Sequence, residues 1–452
     1  MPSNLALLLD LYELTMAESY FAHRKGVCAT FDLFVRGLPK TRAYLVSCGL
    51  EDILKYIRVL KFTKEDLDFL KSKKIFSGDF LKYLNNFKFS GDIWAMPEGT
   101  VFFANEPIIR VTAGIIEAQI LESFFLNTIN VETMIASKAA RVVCAAGNRE
   151  LYDFSLRRTH GSEAGIKVAR ASYIAGFFGT SNVLAGKLYN IPVSGTMAHS
   201  YVMSFKRELD SFLAYSMTFP RKTILLVDTY DTKKGIENAV AVGKHLKEKG
   251  YRLAGVRLDS GDIVALSKLA RRKFNQAGLR YVKIFASGNL DEFKINKLLD
   301  KGAMVDSFGV GTNMGTSIDA PCLDVIYKLS EVTDESGEFL PVMKLSKAKV
   351  TYPGRKQVFR ILDKKGKFAK DIIGLENELI RGKPLLIKVV EKGRIVYRLP
   401  SLDNIRKITK NNLLRLPEKL RQVSVKYKYP VVISPGLKKL RKSLWRQLEK
   451  RQ

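Results

Sequence analysis

Thr223-Ile224-Leu225-Leu226-Val227-Asp228 is a short apolar run that stops on a carboxylate, and its pattern recurs on both sides. The same reading applies to Leu151-Tyr152-Asp153-Phe154-Ser155, Ile191-Pro192-Val193-Ser194, Leu253-Ala254-Gly255-Val256-Arg257, Tyr281-Val282-Lys283-Ile284-Phe285-Ala286 and Met304-Val305-Asp306-Ser307-Phe308. Helical stretches alternate with these runs from about 150 to 320. Repeated strand then helix predicts a parallel α/β sheet or barrel, because parallel neighbours need a crossover that a helix supplies. In such a barrel the working groups gather where strands end, at the C-terminal mouth. Polar and glycine-rich turns follow these strands as that geometry requires.

Upstream, residues 1 to about 125 mix helical and strand patterns. Leu9, Tyr12, Met16 and Tyr20 recur at helical spacing, so the residues alone put Tyr12 in the core. Ala29 to Val35 alternates as a strand, and Thr63 to Asn85 reads as solvated helices rich in Lys and Asp. Two short strands, Val101 to Phe103 and Ile108 to Val111, flank Asn105-Glu106-Pro107. Ala118 to Asn127 and Glu132 to Ala146 read as helices, the second closing at Gly147. Downstream of about Asp319 the rhythm loosens into hairpin-like, charged segments expected to return to the N-terminal region. The expected division is therefore an α/β domain of 1–125 with 320–400, a barrel over 126–319, and a basic extension over 401–452. In that extension Leu437, Leu440, Leu444 and Leu448 share one helical face, with Lys438, Lys439, Arg441, Lys442 and Arg446 elsewhere. A docked surface helix is the plain reading; a face for anionic lipid or nucleic acid is the sharper one.

The chain of 452 residues is 46% hydrophobic, enough for two or three domains with a large core. Cys28, Cys48, Cys144 and Cys322 are isolated, with no CxxC pair, so neither a zinc site nor a disulfide framework is expected and a reduced, cytoplasmic setting fits. Asp10 and Glu13 interrupt the apolar run Leu5 to Leu9, which argues against a signal peptide, and no run approaches the roughly 18 to 20 apolar residues of a membrane span. No membrane partner is expected. Lys and Arg outnumber Asp and Glu by 75 to 45, a net charge of +30. The excess is spread along the chain, denser only at its C-terminal end, and no nucleic-acid-binding signature accompanies it. Attraction of phosphorylated small molecules is as good a use for such a field.

Candidate chemistry sits after the strands. Arg157-Arg158-Thr159-His160-Gly161 and Gly195-Thr196-Met197-Ala198-His199-Ser200 each put an imidazole beside glycine and hydroxyl groups. Spacing leaves His199 open between general base, metal ligand and phosphoryl acceptor. Asp228, Asp231, Asp259 and Asp262 lie just past apolar strands, where a carboxylate can receive ribose hydroxyls, meet Mg²⁺, stabilise a cationic transition state, or simply cap a helix. Asp228 and Asp259 are the functional choices. Ser287-Gly288-Asn289 and Gly309-Val310-Gly311-Thr312-Asn313 can present backbone N–H groups to a phosphate, although neither the dinucleotide fingerprint nor a Walker A loop is complete.

Together, Asp10-Leu11-Tyr12-Glu13-Leu14-Thr15-Met16, Gly195 to Ser200, Leu226 to Thr232, Arg257-Leu258-Asp259-Ser260-Gly261-Asp262 and Gly311-Thr312-Asn313 resemble nicotinate phosphoribosyltransferase in order and spacing. The basic tail after about 400 lies outside the resemblance. It implies an α/β fold: an irregular α/β barrel of the type II phosphoribosyltransferase kind, beside an open-faced α/β sandwich domain built from both chain ends. It further implies a homodimer with shared active sites, and transfer of a phosphoribosyl group from 5-phosphoribosyl 1-pyrophosphate to nicotinate, coupled to ATP hydrolysis, in NAD salvage. Mg²⁺ would accompany the pyrophosphate substrate, with no protein metal ligand assigned.

Residue by residue, the resemblance implies that Phe154 stacks on one face of the pyridine ring and that Tyr12, from the partner subunit, covers the other. Arg157 would contact phosphate or the base carboxylate. Gly288, Asn289, Gly311 and Thr312 would hold the 5′-phosphate, and Asp259 the ribosyl group beside Arg257. His199 matches the histidine that takes the γ-phosphoryl of ATP. At Ser181, relatives that prefer nicotinamide carry an acid; a hydroxyl there predicts nicotinate instead, since a carboxylate would repel it.

Overall fold

The computed structural model describes residues 5–345 and 351–450. Two compact units account for the chain: 1–137 with 322–421 and 425–452, and 138–321 with 422–424. The expected boundary at 125/126 falls inside the helix Glu122–Ala146, and the units part near 137/138 instead. A continuous helix gives the sequence no turn signal to mark such a boundary.

In the first unit a seven-stranded antiparallel sheet runs in the order Phe339–Pro341, Val325–Thr333, Cys28–Val35, Pro107–Gly114, Asp92–Ala95, Ile387–Glu391, Arg394–Ile395. Segments from both ends of the chain therefore share one ladder, with Ala29 opposite Val332 on one side and opposite Ala113 on the other. A second sheet joins Lys383–Pro384, Lys356–Leu362, Phe368–Leu375 and Val431–Ile433. The tail is part of this unit. Helix Pro435–Glu449 is capped by the Ser434 hydroxyl, Glu378 accepts from the Gly436 N–H at 3.0 Å, and Leu437 is fully buried while Leu440, Leu444 and Leu448 are half-buried. One turn of the apolar face thus docks and the rest lies at the rim. No helix among the described residues is long and apolar enough to cross a membrane.

Helix Leu11–His23 corrects the reading of Tyr12 as core. Its buried residues are Glu13, Leu14 and Ala17, and Tyr12 is 46% exposed. The stripe Leu9, Tyr12, Met16, Tyr20 has helical spacing but is not the packed face, because period alone does not say which side of a helix meets the core.

The second unit is built on a six-stranded sheet, all of whose pairs are parallel. Its strands are β1 (Glu150–Asp153), β2 (Gly179–Thr180), β3 (Ile224–Leu226), β4 (Gly255–Leu258), β5 (Lys283–Ala286) and β6 (Ser307–Val310), in spatial order β2-β1-β6-β5-β4-β3. Helices Ser162–Ala175, Thr232–Glu248, Ile263–Gln276 and Glu292–Asp300 lie between successive strands. Leu225, Val256, Ile284, Phe308 and Val310 are fully buried, as strands covered on both faces demand. The α/β class is as expected. The run Ile191 to Ser194, expected as a strand, contributes one parallel bridge from Val193 to Thr180, while the two-residue β2 takes the ladder position beside β1. Pro192, which lacks an N–H, explains why that run forms no longer ladder. Among the described residues no ladder joins the edge strands β2 and β3.

Candidate active site

The carboxylates divide as the turn chemistry allows. Asp231 and Asp262 are helix caps: Asp231 accepts from the Lys234 N–H at 2.7 Å, and Asp262 from those of Val264 and Ala265 at 3.0 and 3.1 Å. Among the described residues Asp228 and Asp259 cap no helix. Asp228 lies two residues past β3 and is buried; its Oδ2 accepts from the Asp259 N–H at 2.9 Å and the Ser260 hydroxyl at 2.7 Å, and its buried Oδ1 has no hydrogen-bond partner among the described residues. Asp259, immediately past β4, accepts a short hydrogen bond from the Ser287 hydroxyl at the end of β5. Three neighbouring strand ends are thus tied by two carboxylates, one of which keeps an unused acceptor oxygen.

Arg257, on β4, donates from Nη1 to Thr196 Oγ1 at 2.6 Å, while its buried Nε has no partner among the described residues. Burial pulls its pKa below the ordinary arginine value; the Asp259 and Asp228 carboxylates oppose that, and the Arg157 cation adds to it. The expected substrate ligands Arg157 and Arg257 therefore share one electrostatic neighbourhood with both acids. Arg157 is exposed in the turn Leu156–Arg158 that follows β1. A nearby anion would relieve the repulsion between the two guanidinium groups.

Phe154 follows β1 and is held by its N–H donating to the Val310 carbonyl at 2.9 Å. Its ring lies 5.6 Å from that of Phe285 at an interplanar angle of 19°. Beneath it is Gly309, where an added Cβ would stand 2.6 Å from two Phe154 ring carbons and 2.8 Å from Phe285. The glycine is needed for the ring to lie flat at this place. Gly288 is similarly constrained: at φ +94° its added Cβ would stand 2.0 Å from the Asp259 carbonyl oxygen. Asn289, also left-handed at φ 50°, accepts at its carbonyl from Lys294 Nζ at 2.8 Å and Asn313 Nδ2 at 3.2 Å, which joins the loops after β5 and β6. Gly311 and Thr312 begin the short helical turn after β6.

His199 opens the helix His199–Met203, with Nδ1 3.2 Å from Thr229 Oγ1 on the loop after β3. Ser181, half-buried past β2, donates its N–H to the Asp153 carbonyl at 2.8 Å. His160 is exposed and unconnected to these groups by any contact described. Of the residues expected from sequence, all but Tyr12 belong to this one unit, at the C-terminal ends of its strands. Tyr12 belongs to the other, where burial, then the Glu122 and Glu13 carboxylates, push its phenol above its ordinary value and Glu122 receives its hydrogen bond. Sequence reading missed the hydroxyls that organise the site, Ser155, Thr180, Thr196 and Thr229. Their only signal was position, one or two residues beside the chosen groups.

Three family descriptions match the chain: the nicotinate phosphoribosyltransferase (NAPRTase) N-terminal domain over residues 7–130, the nicotinate phosphoribosyltransferase (NAPRTase) family over 149–368, and the nicotinate phosphoribosyltransferase C-terminal domain over 380–441. The last corrects the expectation that the tail lies outside the resemblance. A nicotinate phosphoribosyltransferase of Mycobacterium tuberculosis is 46% identical over 431 residues, covering 95% of this chain and 91% of that protein. One from Bacillus subtilis is 38% identical over 461 residues, covering 95% and 93%. The crystal structure of human nicotinic acid phosphoribosyltransferase superposes with a TM-score of 0.86 at 30% identity, over 96% of this chain and 99% of that one. That of a nicotinate-nucleotide pyrophosphorylase from Pyrococcus furiosus gives 0.73 at 25% identity, over 91% and 95%. By sequence and by fold, the chain belongs to the nicotinate phosphoribosyltransferase family.

Proposed function

We propose that this chain joins nicotinate to 5-phosphoribosyl 1-pyrophosphate, giving nicotinate mononucleotide and pyrophosphate, with ATP hydrolysis coupled through His199. The observation that carries the reading is the convergence, at the ends of β1, β3, β4, β5 and β6, of an aromatic platform, two carboxylates, two guanidinium groups and two glycine-bearing loops.

Loss of pyrophosphate leaves positive charge on the ribosyl carbon, so the protein must present fixed negative charge where that charge develops. Asp228 and Asp259 supply it; before substrate arrives Asp228 is held by the Asp259 N–H and the Ser260 hydroxyl, and Asp259 by the Ser287 hydroxyl. The pyridine nitrogen attacks with its own lone pair and needs no general base. Phe154 orients the ring, Arg157 and Arg257 hold anionic substrate groups, and Gly288, Asn289, Gly311 and Thr312 receive the 5′-phosphate. Mg²⁺ bound to the pyrophosphate substrate would neutralise part of its charge. The unpartnered Oδ1 of Asp228 suits that cation or a ribose hydroxyl.

His199 offers Nε2 to a phosphoryl group while Nδ1 faces Thr229. Tyr12 would complete the ring clamp from a second copy of the chain. An exposed apolar helix face, Val183, Leu184 and Leu188, supports burial against such a copy. A reducing, cytoplasmic setting suits the isolated sequence positions of Cys28, Cys48, Cys144 and Cys322. Product analysis with nicotinate, nicotinamide or quinolinate, each with phosphoribosyl pyrophosphate and Mg²⁺, with and without ATP, tests substrate and coupling together. Turnover of nicotinamide or quinolinate in preference to nicotinate would overturn the reading.

A further inference from the structure

We propose that buried Asp153 is a positioning residue that sets the spacing between the aromatic platform and the base-selecting residue, by clamping the end of β1 to the end of β2. This rests on the reading of Phe154 and Ser181 as nicotinate contacts. Asp153 pairs with Thr180 across the parallel ladder and is fully buried. One carboxylate oxygen accepts from the Ser155 N–H at 2.9 Å and the Ser155 hydroxyl at 2.5 Å; the other accepts from the Thr180 hydroxyl at 2.8 Å. Its backbone carbonyl takes the Ser181 N–H, and Thr180 Oγ1 in turn accepts from the Asn182 N–H at 3.0 Å.

The next residue along β1 is Phe154, and the next along β2 is Ser181. One side chain therefore fixes the two turns that present the ring platform and the hydroxyl. Alternatives for this carboxylate are poor. A buried carboxylate is costly unless its oxygens are hydrogen-bonded, and here each oxygen is, among the described residues to groups of those two turns alone. Ser155 cannot drift, because Gly315 packs on it so closely that an added Cβ would stand 2.3 Å from Ser155 Cβ. The carboxylate is thus a rigid spacer that touches no substrate. What it controls is the separation of two groups that must meet one flat ligand.

The test uses Thr180→Val, which removes the hydroxyl link from Asp153 to β2 together with the acceptor for the Asn182 N–H, and Thr180→Ser, which restores both. Thr180→Val should raise the nicotinate KM about tenfold, leave the phosphoribosyl pyrophosphate KM within about twofold, and lower the nicotinate-to-nicotinamide ratio of kcat/KM, while Thr180→Ser returns all three to near wild type. If Thr180→Val does not fold, Asp153→Asn, which keeps the volume, is read by the same three constants. Equal rises in both KM values, or an unchanged nicotinate KM, overturns the proposal. Wild-type protein that converts no nicotinate overturns instead the functional reading beneath it.

Discussion

Gly309→Ala is the substitution whose effect the structure specifies most closely. The new Cβ would stand 2.6 Å from Cδ2 and Cε2 of Phe154, and carbon atoms settle at about 3.5 Å or more, so the ring must retreat by about 0.9 Å. The strand cannot give way instead. Gly309 lies opposite Tyr152 in β1, and the adjoining Phe308 is paired with Ala286 in β5, so β6 is held from both sides. Phe285, 2.8 Å from the same Cβ and buried, closes the other route. A platform displaced by about 1 Å costs about 100-fold in a reaction that depends on ring orientation, or about 2.7 kcal/mol in the barrier. Overpacking should also cost about 1–3 kcal/mol of stability. Steady-state kinetics at saturating phosphoribosyl pyrophosphate should show that loss in kcat/KM for nicotinate, in protein that circular dichroism finds folded. A folded variant within about threefold of wild type would refute the assignment of Phe154 as the ring platform.

Ser181→Asp should move preference toward the amide, since a carboxylate repels nicotinate and accepts from a carboxamide; an unchanged ratio of kcat/KM for the two bases would sink that idea. His199→Ala should abolish an acid-labile phosphoenzyme formed from radiolabelled ATP and uncouple ATP hydrolysis from transfer; retention of full ATP-coupled turnover by the variant would remove His199 from that role. Glu13 is fully buried, takes the Ser123 N–H at 3.0 Å, and burial pushes its pKa up to about 7 from an ordinary 4.5. Its neutral form favours the fold, so this contribution is complete below pH 4.5 and is lost as pH rises through 7, to a total of about 3 kcal/mol at most. Urea unfolding between pH 4.5 and 8 should therefore fall more steeply for wild type than for Glu13→Gln, and parallel curves would show that Glu13 does not titrate there.

Strand ends were legible because burial on both faces leaves continuous apolar runs, and the roles of their aspartates were legible only in part. Asp231 and Asp262 have the same sequence surroundings as Asp228 and Asp259, each a few residues past a strand; what separates them is whether the carboxylate turns back onto its own helix or across to the next strand. That choice is tertiary. β2 escaped notice because two residues carry no period, yet its Thr180 organises the base end of the site. Tyr12 shows the opposite failure. Its spacing was helical, and the exposed face it belongs to is one that a monomer's core does not explain. The tail looked separable because its charge hid the apolar residues that dock it, Ile405, Leu413, Leu416, Leu420 and Leu437.

The sheet that unites both chain ends has a consequence during synthesis. About 300 residues separate Ala29 from its ladder partner Val332, so at ribosomal rates of about 5–20 residues per second the strand Cys28–Val35 waits about 15 to 60 s with one edge open. An open edge invites pairing with other nascent chains. Asp32 sits in the middle of that strand, and its partner Lys356, 2.7 Å away in the finished protein, emerges later still. Until then the carboxylate is an uncompensated charge within an apolar strand, a guard against premature pairing that is dismissed only when the correct segment brings its own ammonium group.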